Sequence, residues 1–190
     1  MRKLKLQVQM TIDGYIARPD GSMDWAVTNW DDELKDYIGK ITDPVDCIVL
    51  GRKLAEGFIP YWSGVAADKD NPDTDAGKKF TNTHKVVFTN TLAESKWKHT
   101  VLAKGEIADE INALKRQDGG DIIAYGGAGF VSSLIKHNLI DEYHLLINPN
   151  ALGKGMAIFS ELNNQLNLVP KDAHDYPCGI VVLCYKSKRS

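Results

Sequence analysis

The stretch Asp121-Ile122-Ile123-Ala124-Tyr125-Gly126-Gly127-Ala128-Gly129 constrains this chain more than any other. Its apolar half reads as a short strand buried on both faces. Adjacent glycines end it, and the spacing from about Phe130 to His137 then fits a helix. A buried strand that feeds a helix through a glycine turn is the repeating unit of an α/β sheet. The glycines let backbone approach a ligand closely. The amides that open the helix point outward, with the positive end of its dipole behind them. In physical terms this is a phosphate site, although a tight turn with close helix–sheet packing would use the same residues. The spacing is not G-x-G-x-x-G and there is no Walker lysine, so neither of those fingerprints applies.

Other segments follow the same logic. Leu4 to Met10 alternates, with Leu4, Leu6, Val8 and Met10 on one face and Lys5, Gln7 and Gln9 on the other, which predicts a strand. Asp46 to Leu50 reads as a strand buried on both faces, and Lys85 to Phe88 and Thr100 to Leu102 as two more short strands. Helices are expected from Asp31, its own N-cap, through Ile41, and from Ile107 to the stop at Gly119-Gly120. Glu142 to Ile147 is a further strand. Leu166 to Val169 and Ile180 to Tyr185 read as a terminal hairpin. The alternation of strands and helices predicts a mostly parallel α/β sheet with an antiparallel C-terminal edge. Phe58 to Thr83, rich in Asp, Gly and Pro, is expected to be one long irregular loop, a lid or a mobile segment.

At 190 residues the chain is expected to form a single domain, 1–190. Its 23 basic and 25 acidic residues leave a net charge of −2, which gives no global electrostatic case for nucleic acid or an anionic membrane surface. No apolar run approaches the roughly 18 residues of a spanning helix. The opening residues alternate and lack the apolar core of a signal peptide. Cys47, Cys178 and Cys184 form no CxxC pair and read as reduced structural thiols in a cytosolic protein. The five histidines show no HxxxH or HExxH spacing, so no metal site is expected.

Two further turns carry ligand chemistry. Gly51-Arg52-Lys53 follows a buried strand, where an open α/β sheet collects its ligands, and the two cations suit a phosphate. Thr89-Asn90 also follows a strand and offers hydroxyl and amide groups. Each alone could be a solvated turn. Together with the glycine turn they open on one edge of the sheet, where a phosphorylated dinucleotide could span them. Candidate acids are Asp32 and Glu33, although their place in a first helical turn also suits simple dipole compensation. Tyr61 and Trp62 could pack on a flat substrate or anchor the loop.

Thr11-Ile12-Asp13-Gly14-Tyr15-Ile16-Ala17, Ile48 to Lys53, Val86 to Asn90 and Ile122 to Gly129, in that order, resemble the dihydrofolate reductase-like superfamily. Leu139-Ile140-Asp141-Glu142, Pro149, Leu152-Gly153-Lys154-Gly155 and Phe159 are similar to the branch of the riboflavin-pathway deaminase–reductase. The part resembled is its reductase domain and stand-alone relatives. The resemblance implies a three-layer α/β/α fold on a mixed sheet of about eight strands. It implies NADPH as hydride donor, a small-molecule substrate and a homodimer. By resemblance, Gly51, Arg52 and Lys53 sit at the cofactor phosphates, and Thr89 and Asn90 near the adenosine 2′-phosphate. Gly126, Gly127, Ala128 and Gly129 hold the pyrophosphate, with Phe130 beside them. Ala17 lies by the nicotinamide, with substrate among Gln9, Trp25, Tyr37 and Trp62. Asp32 or Glu33 would handle the proton.

Apolar Leu146 replaces the hydroxyl expected of a true dihydrofolate reductase, and Gln7 and Gln9 replace apolar residues. These departures, and the lack of a deaminase CxxC, favour a stand-alone reductase of a small heteroaromatic or sugar-bearing substrate. The alternatives are a true dihydrofolate reductase and a non-catalytic nucleotide-binding module.

Overall fold

The computed structural model describes residues 1–188. The central strand β1 (Leu4–Thr11) is almost wholly buried on both faces, including Lys5 and Gln7. The expected strand forms, and helices cover both its apolar face and the face that carries Lys5 and Gln7. The remaining strands are β2 (Tyr15–Ala17), β3 (Val45–Gly51), β4 (His84–Phe88), β5 (Thr100–Ala103), β6 (Asp121–Ala124), β7 (Glu142–Asn148), β8 (Met156–Ala157), β9 (Leu168–Asp175) and β10 (Val181–Ser187). The main sheet has eight strands in the order β5-β4-β3-β6-β1-β7-β10-β9. Pairing is parallel from β5 through β7, and β10 pairs antiparallel with both β7 and β9. The expected α/β sheet with an antiparallel C-terminal edge is what forms. Sequence pattern missed the small pair β2–β8 because strands of three and two residues carry no usable periodicity.

The helices are α1 (Asp32–Thr42), α2 (Arg52–Ala67), α3 (Thr74–Asn82), α4 (Ile107–Arg116) and α5 (Ala128–Lys136). Asp31 caps α1 as expected, its Oδ1 accepting from the Leu34 amide at 2.9 Å. The even residues of β1 pack against Ile111 of α4 and Val131, Leu134 and Ile135 of α5. Two separate apolar clusters cover the other face. Ala55 and Ile59 of α2 pack over Ile48, Leu50, Val87 and Ile123, while Leu34 of α1 packs over Leu146 and Val182.

The expected loop from Phe58 to Thr83 is instead most of α2, the short link 68–73 and α3. Gly57, Pro60 and Gly64 inside α2 imitate loop composition. The burial of Ala55, Ile59 and Val65 supplies the helical spacing that offsets them. Gly77 lets α3 lie against α2, since a Cβ there would fall 2.6 Å from the Ala66 nitrogen and 2.9 Å from Val65 Cγ1. Gly77→Val is therefore expected to cost about 1–3 kcal/mol by overpacking, read as a lower urea midpoint. An unchanged midpoint would contradict this helix contact.

Buried lysines close two helix ends. Lys5 Nζ donates to the Ile41 carbonyl of α1 at 2.9 Å, and Lys85 Nζ to Thr81 of α3 at 3.0 Å. A cation on the last carbonyls of a helix complements the negative end of its dipole. No helix among the described residues is long and apolar enough to cross a membrane.

Candidate active site

The parallel strands β3, β4, β5 and β6 end on the same rim, and each ending contributes to or adjoins a cleft of about 570 Å³. Gly51, Arg52 and Lys53 enter from the β3–α2 junction, Thr89, Asn90 and Thr91 from the end of β4, and Gly127, Gly129 and Phe130 from the start of α5. Turns far apart in sequence thus converge because parallel strands must all point the same way. The β5–α4 turn adds Lys104, Gly105 and Glu106, and Leu54, Ser133 and His137 complete the walls. The sequence reading missed these residues. A signal is present, since Thr100 to Leu102 reads as a strand and its end belongs on the same rim.

The electrostatics come mainly from backbone. α2 begins after Gly51 and α5 after Gly127, and neither receives a side-chain cap or an acidic residue in its first turn. In contrast, α1 has Asp31 as a cap with Asp32 and Glu33 behind it. The first amides of α2 and α5 therefore keep their donors and their dipole field for the cleft. Gly127 has φ +82°, a left-handed conformation natural to glycine. A Cβ at Gly51 would meet Phe130 Cβ at 2.9 Å, so this glycine brings the start of α2 against α5. Phe130 packs on Phe88 with centroids 5.1 Å apart, forming an apolar wall.

The polar side chains are partly committed. Arg52 Nη1 reaches Glu56 Oε1 at 2.9 Å along α2, and Lys53 is exposed. Thr89 Oγ1 accepts from the amides of Thr91 at 3.1 Å and Leu92 at 3.2 Å, so this hydroxyl holds the turn that presents Asn90. Gly126 and Ala128 support the turn without lining the cleft.

The other proposed site residues lie elsewhere. Ala17 is in β2, paired with Met156, outside the cleft. Gln9 lies on β1 beside Leu146, and Trp25 is tethered through its carbonyl by Asn150 Nδ2 at 2.8 Å. Asp32 and Glu33 are exposed on the first turn of α1. Trp62 stacks on Phe80 at 4.2 Å between α2 and α3, as a hydrophobic anchor would. Tyr37 is turned to a buried polar cluster, its hydroxyl 2.6 Å from His144 Nδ1. Burial lowers the His144 pKa from 6.5 to about 4, against the raising field of Glu142. Burial by itself would raise the Glu142 carboxyl, but ion pairs with Lys3 and Lys171 hold it at about 2.

An eight-stranded, mostly parallel sheet with an antiparallel C-terminal edge and helices on both faces defines a dihydrofolate reductase-like fold, with two uncapped helix starts facing one cleft. The chain belongs to the RibD C-terminal domain family, which it matches over residues 2–182. It is 30% identical over 186 residues to YyaP, an uncharacterized protein of Bacillus subtilis (strain 168), covering 97% of this chain and 94% of YyaP. Its fold is similar to that of the Thermotoga maritima diaminohydroxyphosphoribosylaminopyrimidine deaminase/5-amino-6-(5-phosphoribosylamino)uracil reductase. That match has a TM-score of 0.70 at 15% identity, covering 98% of this chain and 57% of the longer one. The Enterococcus faecalis dihydrofolate reductase complexed with NADP(H) matches with a TM-score of 0.60 at 17% identity, over 98% of this chain and 97% of the reductase.

Proposed function

We propose that this protein is an NADPH-dependent reductase of a small heteroaromatic or sugar-bearing substrate. The observation that carries the reading is the pair of uncapped helix starts, Gly51–Lys53 and Gly127–Gly129, on the two sides of one cleft. Family membership supports the same class. A dinucleotide diphosphate fits this chemistry, because the opening amides of α2 and α5, with no acid in either first turn, and the cations Arg52 and Lys53 offer donors and positive field. When bound, the cofactor supplies the hydride. The protein's part is to orient it. Gly127 and Gly129 admit the diphosphate to the α5 amides, Arg52 and Lys53 neutralise charge, and Phe88 and Phe130 exclude water from the rim.

The test is titration with NADPH, followed by its oxidation in the presence of pterins, pyrimidines and carbonyl compounds. Saturable binding is expected between about 1 μM and 1 mM. Arg52→Ala is expected to weaken it about tenfold, the loss of one charged hydrogen bond. Absence of saturable binding, with no change on Arg52→Ala, would overturn the reading. Turnover of dihydrofolate would move the assignment to a true dihydrofolate reductase.

A further inference from the structure

The cleft is not uniform in charge. At one end lie the acid-free starts of α2 and α5, with Arg52 and Lys53. From there one wall follows α5 through Phe130, Ser133 and His137, about one helical turn between each. The facing wall is the turn from β5 into α4, two strand spacings or about 10 Å from β3. Glu106 on that turn is the one carboxylate among the described residues that line the cleft.

An anion site has no use for this carboxylate, and neither has the helix it opens. Glu106 is the N-cap residue of α4, yet its side chain makes no capping bond. The helix start is closed from behind, where Glu110 Oε1 accepts from the Gly105 amide at 3.1 Å. Asp109 and Glu110 already answer the dipole from the first turn. The neighbouring Lys104 is engaged elsewhere, its Nζ donating to the Ala93 carbonyl at 3.0 Å. Glu106 is exposed and enters no ion pair or side-chain hydrogen bond among the described residues. His137 adds a second acceptor to the cleft. Its Nδ1 lies 2.9 Å from the Ser133 carbonyl, which can only accept, so the neutral ring keeps its lone pair on Nε2. Phe130 and Ile107 supply apolar surface on the same two walls.

This half of the cleft therefore suits a flat ring that donates hydrogen bonds, attached to an anion held at the other end. β5 is the outermost strand on its side of the sheet, so water reaches this half freely. A hydride-bearing ring is better kept from water, toward the centre of the sheet, which leaves the edge to the adenosine arm. We propose that Glu106 reads the base of the dinucleotide, its carboxylate accepting from the exocyclic amine of adenine. The inference rests on the NADPH reading above and deepens it. It makes the cleft selective for an amino-bearing base over one that carries oxygen at the same position.

The test compares the binding of NADP⁺ and of nicotinamide hypoxanthine dinucleotide phosphate, in which that amine is replaced by oxygen, to the full chain. The wild type is expected to hold NADP⁺ about tenfold more tightly, because the analogue sets an oxygen against the carboxylate. In Glu106→Gln the side-chain amide can donate to that oxygen, and the preference is expected to fall to within about twofold. Loss of a negative charge strengthens the binding of both anionic ligands, so the ratio of affinities is the readout. Arg52→Ala is expected to weaken both ligands and leave the ratio at about ten, since the phosphates are common to both. Equal wild-type affinities, or a preference that survives Glu106→Gln, would overturn the proposal. A wild type that binds neither ligand would instead overturn the NADPH reading.

Discussion

Gly129→Asp is expected to fold at least as stably as the wild type and to bind NADPH at least about a hundredfold more weakly. The two halves of this result have one cause. Gly129 is exposed in the first turn of α5, and a Cβ there would meet nothing within 4 Å. A carboxylate in a first helical turn gains about 0.3–1 kcal/mol from the dipole. The same carboxylate occupies the field that an anionic ligand needs, and like charges brought together cost several kcal/mol; a hundredfold corresponds to about 3 kcal/mol. Thermal melting and an NADPH titration on one preparation check both halves. Unaltered affinity in a folded variant would show that this helix start is a packing device only.

Acid is expected to destabilise the protein well before its carboxylates titrate. The His144 pKa is lowered from 6.5 to about 4, so the unfolded chain takes up this proton first as pH falls. The stability contributed is fully present above pH 6.5 and is lost as pH falls toward 4, about 3 kcal/mol in all. Glu142, lowered from 4.5 to about 2, adds a second loss at lower pH, between those values. Urea unfolding at a series of pH values measures the slope. The wild type should lose stability steadily between pH 6.5 and 4, whereas His144→Phe should show a distinctly smaller slope there, the part left by His84, whose pKa burial also lowers from 6.5. Equal slopes in the two proteins would mean that His144 does not carry the effect.

Much of the sheet was legible because parallel strands buried on both faces leave short apolar runs such as Cys47-Ile48-Val49-Leu50 and Ile122-Ile123-Ala124. α2 and α3 were not, because Gly57, Pro60 and Gly64 are loop-like in composition and only tertiary burial of Ile59 and Val65 reveals the helix. The convergence of three turns on one cleft was legible, since a strand-to-helix turn has a direction that sequence alone implies. The β5–α4 residues Lys104 and Glu106 follow from the same rule, because β5 is parallel to its neighbours and ends on the same rim. The buried cluster of Tyr37, His144 and Glu142 could not be read. It joins α1 to β7 across more than a hundred residues, and no local pattern marks such a meeting. Asp32 and Glu33 are exposed on the first turn of α1 and do not line the cleft; a first helical turn favours an acid through the dipole alone, so their sequence position carries little information about catalysis.

A crystal structure with NADPH tests the central claim most directly. The diphosphate is expected between Gly51–Lys53 and Gly127–Gly129, within hydrogen-bond reach of the opening amides of both α2 and α5. A nucleotide bound elsewhere on the molecule, or a cleft that stays empty at saturating NADPH, would contradict it.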